Sequence, residues 1–276
     1  MTALKINVAS SLTGDIQYRV LRSKIWSDWG ENGAFVGAKS GQKIEAIKVK
    51  LTGKLKKEYD VYYRIRIKTY GWTGWAKNGQ AVGSQNYGRQ MIGLQVKLVK
   101  KEATDQTIHA DKEVPFLDAQ KMVIQLNKQK NCVTVYQGSK PIKAFICSTG
   151  KNTPLGTYYT GVGYRWRALF YGCYGQYSTQ ITGNFLFHSV PYDAPNNMKL
   201  QTAEYNKLGT TASHGCVRLT VEDSKWIYDN CLRKTKVIIY NSEDPGPLGR
   251  PKAQKLPKTQ TWDPTDKTVN VNKERS

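Results

Sequence analysis

Apolar and polar residues alternate with a period of two along much of the chain, the pattern of strands with one buried face. It shows in "YRVLR" (18–22), "IEAIKVKL" (44–51) and "YRIRIK" (63–68). In the second half, Met122, Ile124 and Leu126 alternate, then Val133 and Val135, then Ile142, Ala144 and Ile146 after the "QGSK" turn. "GNFLFHSVPY" (183–192) is apolar up to His188, and "KVIIY" (236–240) reads as a buried closing strand. A helical signal begins at Thr220, where "T-x-x-D" forms a capping-box-like start with Asp223. Trp226, Ile227, Tyr228 and Cys231 supply the apolar side of that helix. The expectation is a mostly-β chain with one or two helices in its second half.

The alternation carries a repeat. Tyr18 matches Tyr63, Trp26 and Trp29 match Trp72 and Trp75, Asn32-Gly33 matches Asn78-Gly79, Gly37 matches Gly83, and Leu51 matches Leu98. The offset of about 46 residues lies in the range of repeat architectures. Asn-Gly pairs favour hairpin turns, so each unit reads as a small antiparallel sheet with a Trp pair. Two readings of the Trp pairs stand open: apolar payload for a small core, or a face for sugar or polymer. The stretch 100–120 is charged and reads as a linker. The stretch 242–276, with five prolines, reads as an extended tail, pinned by Trp262 or free.

Charge narrows the surroundings. The 276 residues hold 42 Lys+Arg against 21 Asp+Glu, a formal net charge of +21. Such an excess favours polyanions, and its dispersal along the chain points to bulk attraction more than to base reading. No apolar run is long enough to span a membrane. The start at Met1 shows no basic-then-apolar leader, which fits a cytosolic protein or one whose secretion signal was removed.

The candidate chemistry lies in "ASHGCVRLT" (212–220). The five cysteines, at 132, 147, 173, 216 and 231, form no CxxC pair, which argues against a zinc site. Cys132 and Cys147 fall diagonally across a hairpin, a poor geometry for a disulfide. A reactive Cys216 needs a base or cation to lower its pKa and donors for an oxyanion. Gly215 permits a tight turn that would aim backbone amides at one oxygen. Of three histidines, His109 sits in the linker and reads as solvated. His214 is two residues from Cys216, about 6.5–7 Å away in an extended chain. His188, on another strand, approaches freely and reads as the better base. The bland reading is that Cys216 is an inert buried thiol.

The stretch "TPLG … FHSVPY … SHGCVRL", within 121–241, resembles the L,D-transpeptidase catalytic domain, the YkuD family. The 10–99 units resemble the clostridial hydrophobic W repeat. The first resemblance implies a cysteine enzyme acting on peptidoglycan stem peptides, with Cys216 as nucleophile and His188 as base. The Ser189 carbonyl would orient the ring, and amides of His214, Gly215 and Cys216 would form the oxyanion hole. Arg218 would hold a substrate carboxylate or brace the loop, and Ser213 and Tyr192 are further candidates for substrate contact. No metal or cofactor is implied. The W resemblance implies an outer-surface location, in the wall of a Gram-positive bacterium, with anionic wall polymers as possible partners. One departure and one further feature stand out. "DAPNNMKLQTAEYNKLG" (193–209) lengthens the spacing between His188 and Ser213 and reads as a surface excursion. The aromatic-rich 164–180 reads as a lid or a self-packing hairpin. A non-catalytic wall adhesin and a nucleic-acid binder without a recognised motif remain as competing readings.

Overall fold

The computed structural model describes residues 1–37, 41–103, 105, 108 and 114–269. Two compact units divide the chain, Met1–Ala119 and Gln120–Ser276. His109 lies outside the described residues.

In the first unit, strands Ile16–Arg22 and Ala46–Leu51 pair antiparallel, with Tyr18 opposite Val49 and Arg19 opposite Lys48. Strands Tyr59–Ile67 and Met91–Lys100 repeat the arrangement, with Arg64 opposite Gln95 and Tyr62 opposite Lys97. Tyr18 and Tyr63 are fully buried. Each donates its hydroxyl to a carbonyl just past the Asn-Gly pair, Tyr18 to Ala34 and Tyr63 to Gln80. The repeat read in the sequence is thus a repeat of core contacts. Gly37 and Gly83, with φ of +135° and +128°, are required twice over. A Cβ on Gly37 would stand 2.4 Å from the Ala3 Cα, and one on Gly83 2.5 Å from the Glu45 carbonyl oxygen.

Two expectations change here. The four Trp residues at 26, 29, 72 and 75 are half-buried and do not form the core, which Ile, Val, Leu and the two tyrosines build. An arginine lies over each Trp pair: Arg19 is 5.3 and 4.7 Å from the Trp26 and Trp29 ring centroids, Arg64 5.1 and 4.8 Å from Trp72 and Trp75. The predicted 100–120 linker is also partly structural. Phe116–Asp118 pairs parallel with Val82–Gln85, because Leu117 is an apolar side chain that this edge buries completely.

The second unit holds two sheets. One has the strand order Lys140–Ile146, Cys132–Gln137, Met122–Asn127, Lys236–Tyr240, Gly156–Tyr159. "KVIIY" runs parallel to Met122–Asn127 and antiparallel to Gly156–Tyr159 inside it; Val237 and Ile239 are buried, while Ile238 and Tyr240 on the other face are half-buried. The other sheet orders Gly163–Ala168, Tyr174–Thr182, Phe185–Ser189 and Val217–Leu219. The helix Val221–Asn230 starts as the sequence indicates, with the Thr220 hydroxyl accepting from the Asp223 amide at 3.2 Å. All five cysteines are free. Cys132 faces Ile146 across the hairpin, so its neighbour Cys147 is indeed off register.

The excursion 193–209 and the tail are corrected together. Thr202–Tyr205 forms a short helix, and Leu200, Tyr205, Leu208 and Leu256 are buried in one cluster. The tail is strapped to the second unit through 269. Asp263, fully buried, accepts from the Val221 amide at 2.8 Å, and the Gln176 amide donates to Asp266 at 3.1 Å. Prolines keep this strap from forming a helix or strand, but its Asp and Leu side chains find partners on the body. Those contacts pin it, whereas Trp262 is only half-buried.

Candidate active site

Strands Phe185–Ser189 and Val217–Leu219 are adjacent and parallel, with Phe187 opposite Val217 and His188 opposite Arg218. Cys216 immediately precedes the second strand. This register brings two distant parts of the sequence to one cleft of about 580 Å³, lined by His188, Ser213, His214, Gly215, Cys216 and Arg218 among others.

His188 is 2% exposed. Its Nδ1 lies 2.5 Å from the Ser189 carbonyl oxygen, an atom that only accepts. The proton therefore sits on Nδ1 and leaves Nε2 with its lone pair free. Burial pulls the His188 pKa down to about 4, and the Arg218 charge adds to this against the Ser189 hydrogen bond. Burial pushes the Cys216 thiol up, against a backbone hydrogen bond from Leu186 and the Arg218 charge. Burial thus works against charge on either partner, and the desolvated imidazole favours its neutral, proton-accepting form.

The loop bearing Cys216 is clamped from behind by 148–153. Ser148 and Arg218 exchange backbone hydrogen bonds at 2.8 and 2.9 Å, and the Ala212 amide bonds the Thr149 carbonyl at 3.0 Å. The Thr153 hydroxyl donates to the Gly215 carbonyl and accepts from the Gly150 amide, both at 2.7 Å. The Ser213 hydroxyl donates to the Cys216 carbonyl at 2.5 Å, closing the turn. With these carbonyls held, the amides of His214, Gly215 and Cys216 bond no carbonyl among the described residues. Gly215 is needed for space and not for a left-handed turn: its Cβ would lie 2.3 Å from the Phe185 ring.

The other sequence candidates sort as follows. Arg218 Nη1 bonds Glu204 at 2.5 Å and the Ala212 carbonyl at 3.0 Å, contacts that suit a brace, and the residue also lines the cleft. Tyr192 does not line the cleft. It is fully buried, edge-on to Trp166 at 5.3 Å, and its backbone pairs with Tyr174, so substrate contact is withdrawn for it. The 164–180 segment is a hairpin, and its tip, Leu169–Cys173, lines the cleft. At that tip Tyr171, 84% exposed, lies with its ring centroid 5.1 Å from that of His214.

Sequence reasoning missed Gly175, Glu204 and the clamp made by Gly150 and Thr153. A Cβ on Gly150 would stand 2.2 Å from the Gly215 nitrogen. "STG" and "TPLG" carried that signal as turn-like punctuation.

The L,D-transpeptidase catalytic domain family model matches residues 121–239, and the clostridial hydrophobic W model matches 67–100. A curated protein of Bacillus subtilis (strain 168), named "Putative L,D-transpeptidase YciB", is 33% identical over 159 residues, which cover 52% of this chain and 78% of that protein. Among solved structures, a fused zinc-dependent amidase/peptidase/peptidoglycan-binding domain-containing protein of Clostridium acetobutylicum ATCC 824 is 28% identical, with a TM-score of 0.34. The match covers 44% of this chain and about half, 52%, of that one. An L,D-transpeptidase of Mycobacterium tuberculosis H37Rv is 18% identical, with a TM-score of 0.37, over 71% of this chain and 91% of that one. On the extent of the YciB match and the catalytic-domain match, this chain belongs to the L,D-transpeptidase (YkuD) family, with a clostridial hydrophobic W domain earlier in its sequence.

Proposed function

We propose that the chain is a cysteine-dependent peptidoglycan L,D-transpeptidase that forms 3→3 cross-links and releases D-alanine. The observation that carries this reading is the joint presence, in one cleft, of Cys216, of His188 with its Nδ1 engaged by the Ser189 carbonyl, and of three unengaged amides. Sγ of Cys216 attacks the carbonyl carbon of the third stem residue while its proton passes to Nε2 of His188. The amides of His214, Gly215 and Cys216 receive the negative oxygen. As the tetrahedral species collapses, the imidazolium returns the proton to the departing nitrogen of D-alanine, leaving a thioester. The amine of a neighbouring stem then attacks the thioester carbonyl, its proton moves by way of His188, and the thiol is regenerated. Water in place of that amine gives L,D-carboxypeptidation at the same site.

No metal or cofactor enters these steps. A chain with this activity and a net charge of +21 belongs in a wall rich in anionic polymers, outside a Gram-positive cell, where cross-linking governs wall organisation and cell shape. Burial disfavours charge on both partners, which suits this chemistry: charge develops with a carbonyl in place, where the amides can stabilise it.

The test is D-alanine release from a purified disaccharide-tetrapeptide, with muropeptide mass spectrometry to read the acceptor. Release by the native chain, and its loss in a folded Cys216→Ala variant, is expected. Absence of release together with an unchanged muropeptide profile overturns the proposal. A carbapenem is expected to add its mass to the native chain and not to Cys216→Ala.

A further inference from the structure

We propose that the outer face of the first W unit is a binding site for a phosphodiester-linked polyol or glycan chain, held by Lys48, Arg19 and Lys50. This deepens the wall-polymer part of the reading above and is independent of the cysteine chemistry.

The strands place these three cations together. Arg19 lies directly opposite Lys48, and Lys50 is two residues along the same face, opposite Gln17. Their neighbours Tyr18, Val20, Ile47 and Val49 are fully buried, so the cations stand on the outward side. Two indoles sit among them. Lys48 is 5.0 Å from the Trp26 centroid and Arg19 5.3 Å, while Arg19 is 4.7 Å from the Trp29 centroid and Lys50 4.2 Å. Each indole carries two cations.

Such a row is electrostatically unfavourable by itself. Like charges directly opposed across a strand pair destabilise it, and the cation–π contacts offset this only in part. Among the described residues none of the three forms an ion pair. The buried Nε of Arg19 has no hydrogen-bond partner. Burial and the Arg19 charge hold the Lys48 ammonium below its ordinary pKa.

The second unit supplies an internal control. Arg64 sits between Trp72 and Trp75 as Arg19 sits between Trp26 and Trp29. There Gln95 replaces Lys48 and bonds Arg64 Nε at 2.7 Å. Lys97, in the place of Lys50, pairs with Asp105 at 3.0 Å. The scaffold therefore forms without a naked cation row, and the row is particular to the first unit. A linear chain with a single negative charge per repeat matches it. Nucleic acid fits less well, because base stacking needs open aromatic faces and these indoles already carry cations.

The test uses the full chain and measures affinity for purified poly(glycerol phosphate), neutral dextran and a thymidylate oligomer at several salt concentrations. Lys48→Gln/Lys50→Gln is compared with Lys54→Gln/Lys56→Gln, which removes the same charge from an exposed helix of the same unit. Because glutamine already stands at the Lys48 position of the second unit, the fold tolerates it there; equal melting temperatures check this. The row variant is expected to bind poly(glycerol phosphate) about tenfold more weakly with a shallower salt dependence. The control is expected to change less than about twofold. Equal losses in both variants, no binding by the native chain, or tighter binding of the thymidylate oligomer overturns the proposal. D-alanine release is read on the same preparations. Binding without release counts against the enzyme reading alone, and release without binding counts against this one alone.

Discussion

The backbone of Gly175 lies against the imidazole of His188 so closely that a Cβ there would stand 2.9 Å from Nδ1 and 2.9 Å from the histidine Cβ. Gly175 belongs to the strand Tyr174–Thr182, which pairs with the His188 strand, so neither backbone can yield easily. Gly175→Ala is expected to push the ring off the Ser189 carbonyl and cut kcat/KM on a tetrapeptide about a hundredfold, the scale of an ångström of misplacement. Overpacking at this buried position is expected to lower the melting temperature as well, so kcat/KM is compared at a temperature where the variant is folded. A variant with native kcat/KM would show that the ring does not depend on this glycine.

The desolvation of Cys216 leads to a second expectation. Since burial lifts the Cys216 pKa, its alkylation by iodoacetamide should keep accelerating above pH 9. The half-buried Cys173 lines the same cleft, so the measurement belongs in a Cys173→Ser background. An alkylation midpoint below pH 8 would instead reveal a standing thiolate–imidazolium pair.

His188 also ties stability to pH. Its pKa is about 4 folded against 6.5 unfolded. Between these values the unfolded chain holds a proton that the native one refuses, so native stability falls as pH drops below 6.5. The loss reaches about 2 kcal/mol at pH 5. Asp223, whose pKa burial raises to about 7, acts in the opposite direction over the same range. The measurable quantity is therefore the difference between the native chain and His188→Asn. Their gap in unfolding free energy should shrink by about 2 kcal/mol between pH 7.5 and pH 5. A gap independent of pH would place a protonated imidazole in the fold.

The sequence made the strands legible because alternation is a local signal, and the Trp spacing exposed the repeat. It made Cys216 and His188 visible as types, but not how they meet. The register that sets His188 opposite Arg218 is a long-range fact of sheet pairing. For the same reason Gly175 looked like any glycine in an aromatic stretch, and Tyr192, three residues past the strand, looked available when the core had claimed it. The tail misled for a physical reason: proline richness forbids ladders, but it does not prevent single buried carboxylates such as Asp263 from tethering a chain.

Glu204 shows how a segment outside the motif enters the site. It stands in the excursion and bonds both Arg218 and Lys207. Burial works to raise its pKa, yet these two cations outweigh that and hold the carboxylate below its ordinary value. Arg218 in turn grips the Ala212 carbonyl, at the entry to the loop that ends in Cys216. Glu204→Gln removes the charge and keeps the shape. The expected cost is about 1–2 kcal/mol of stability at neutral pH, between exposed and buried ion pairs. Because the folded pKa is depressed, this contribution is present above about pH 4.5 and lost as pH falls, so native and variant stabilities should converge in acid. Activity separates the brace from substrate binding. If Arg218 positions the loop, Glu204→Gln lowers kcat while KM for the tetrapeptide stays near native. A rise in KM at unchanged kcat would return Arg218 to the role of a substrate ligand.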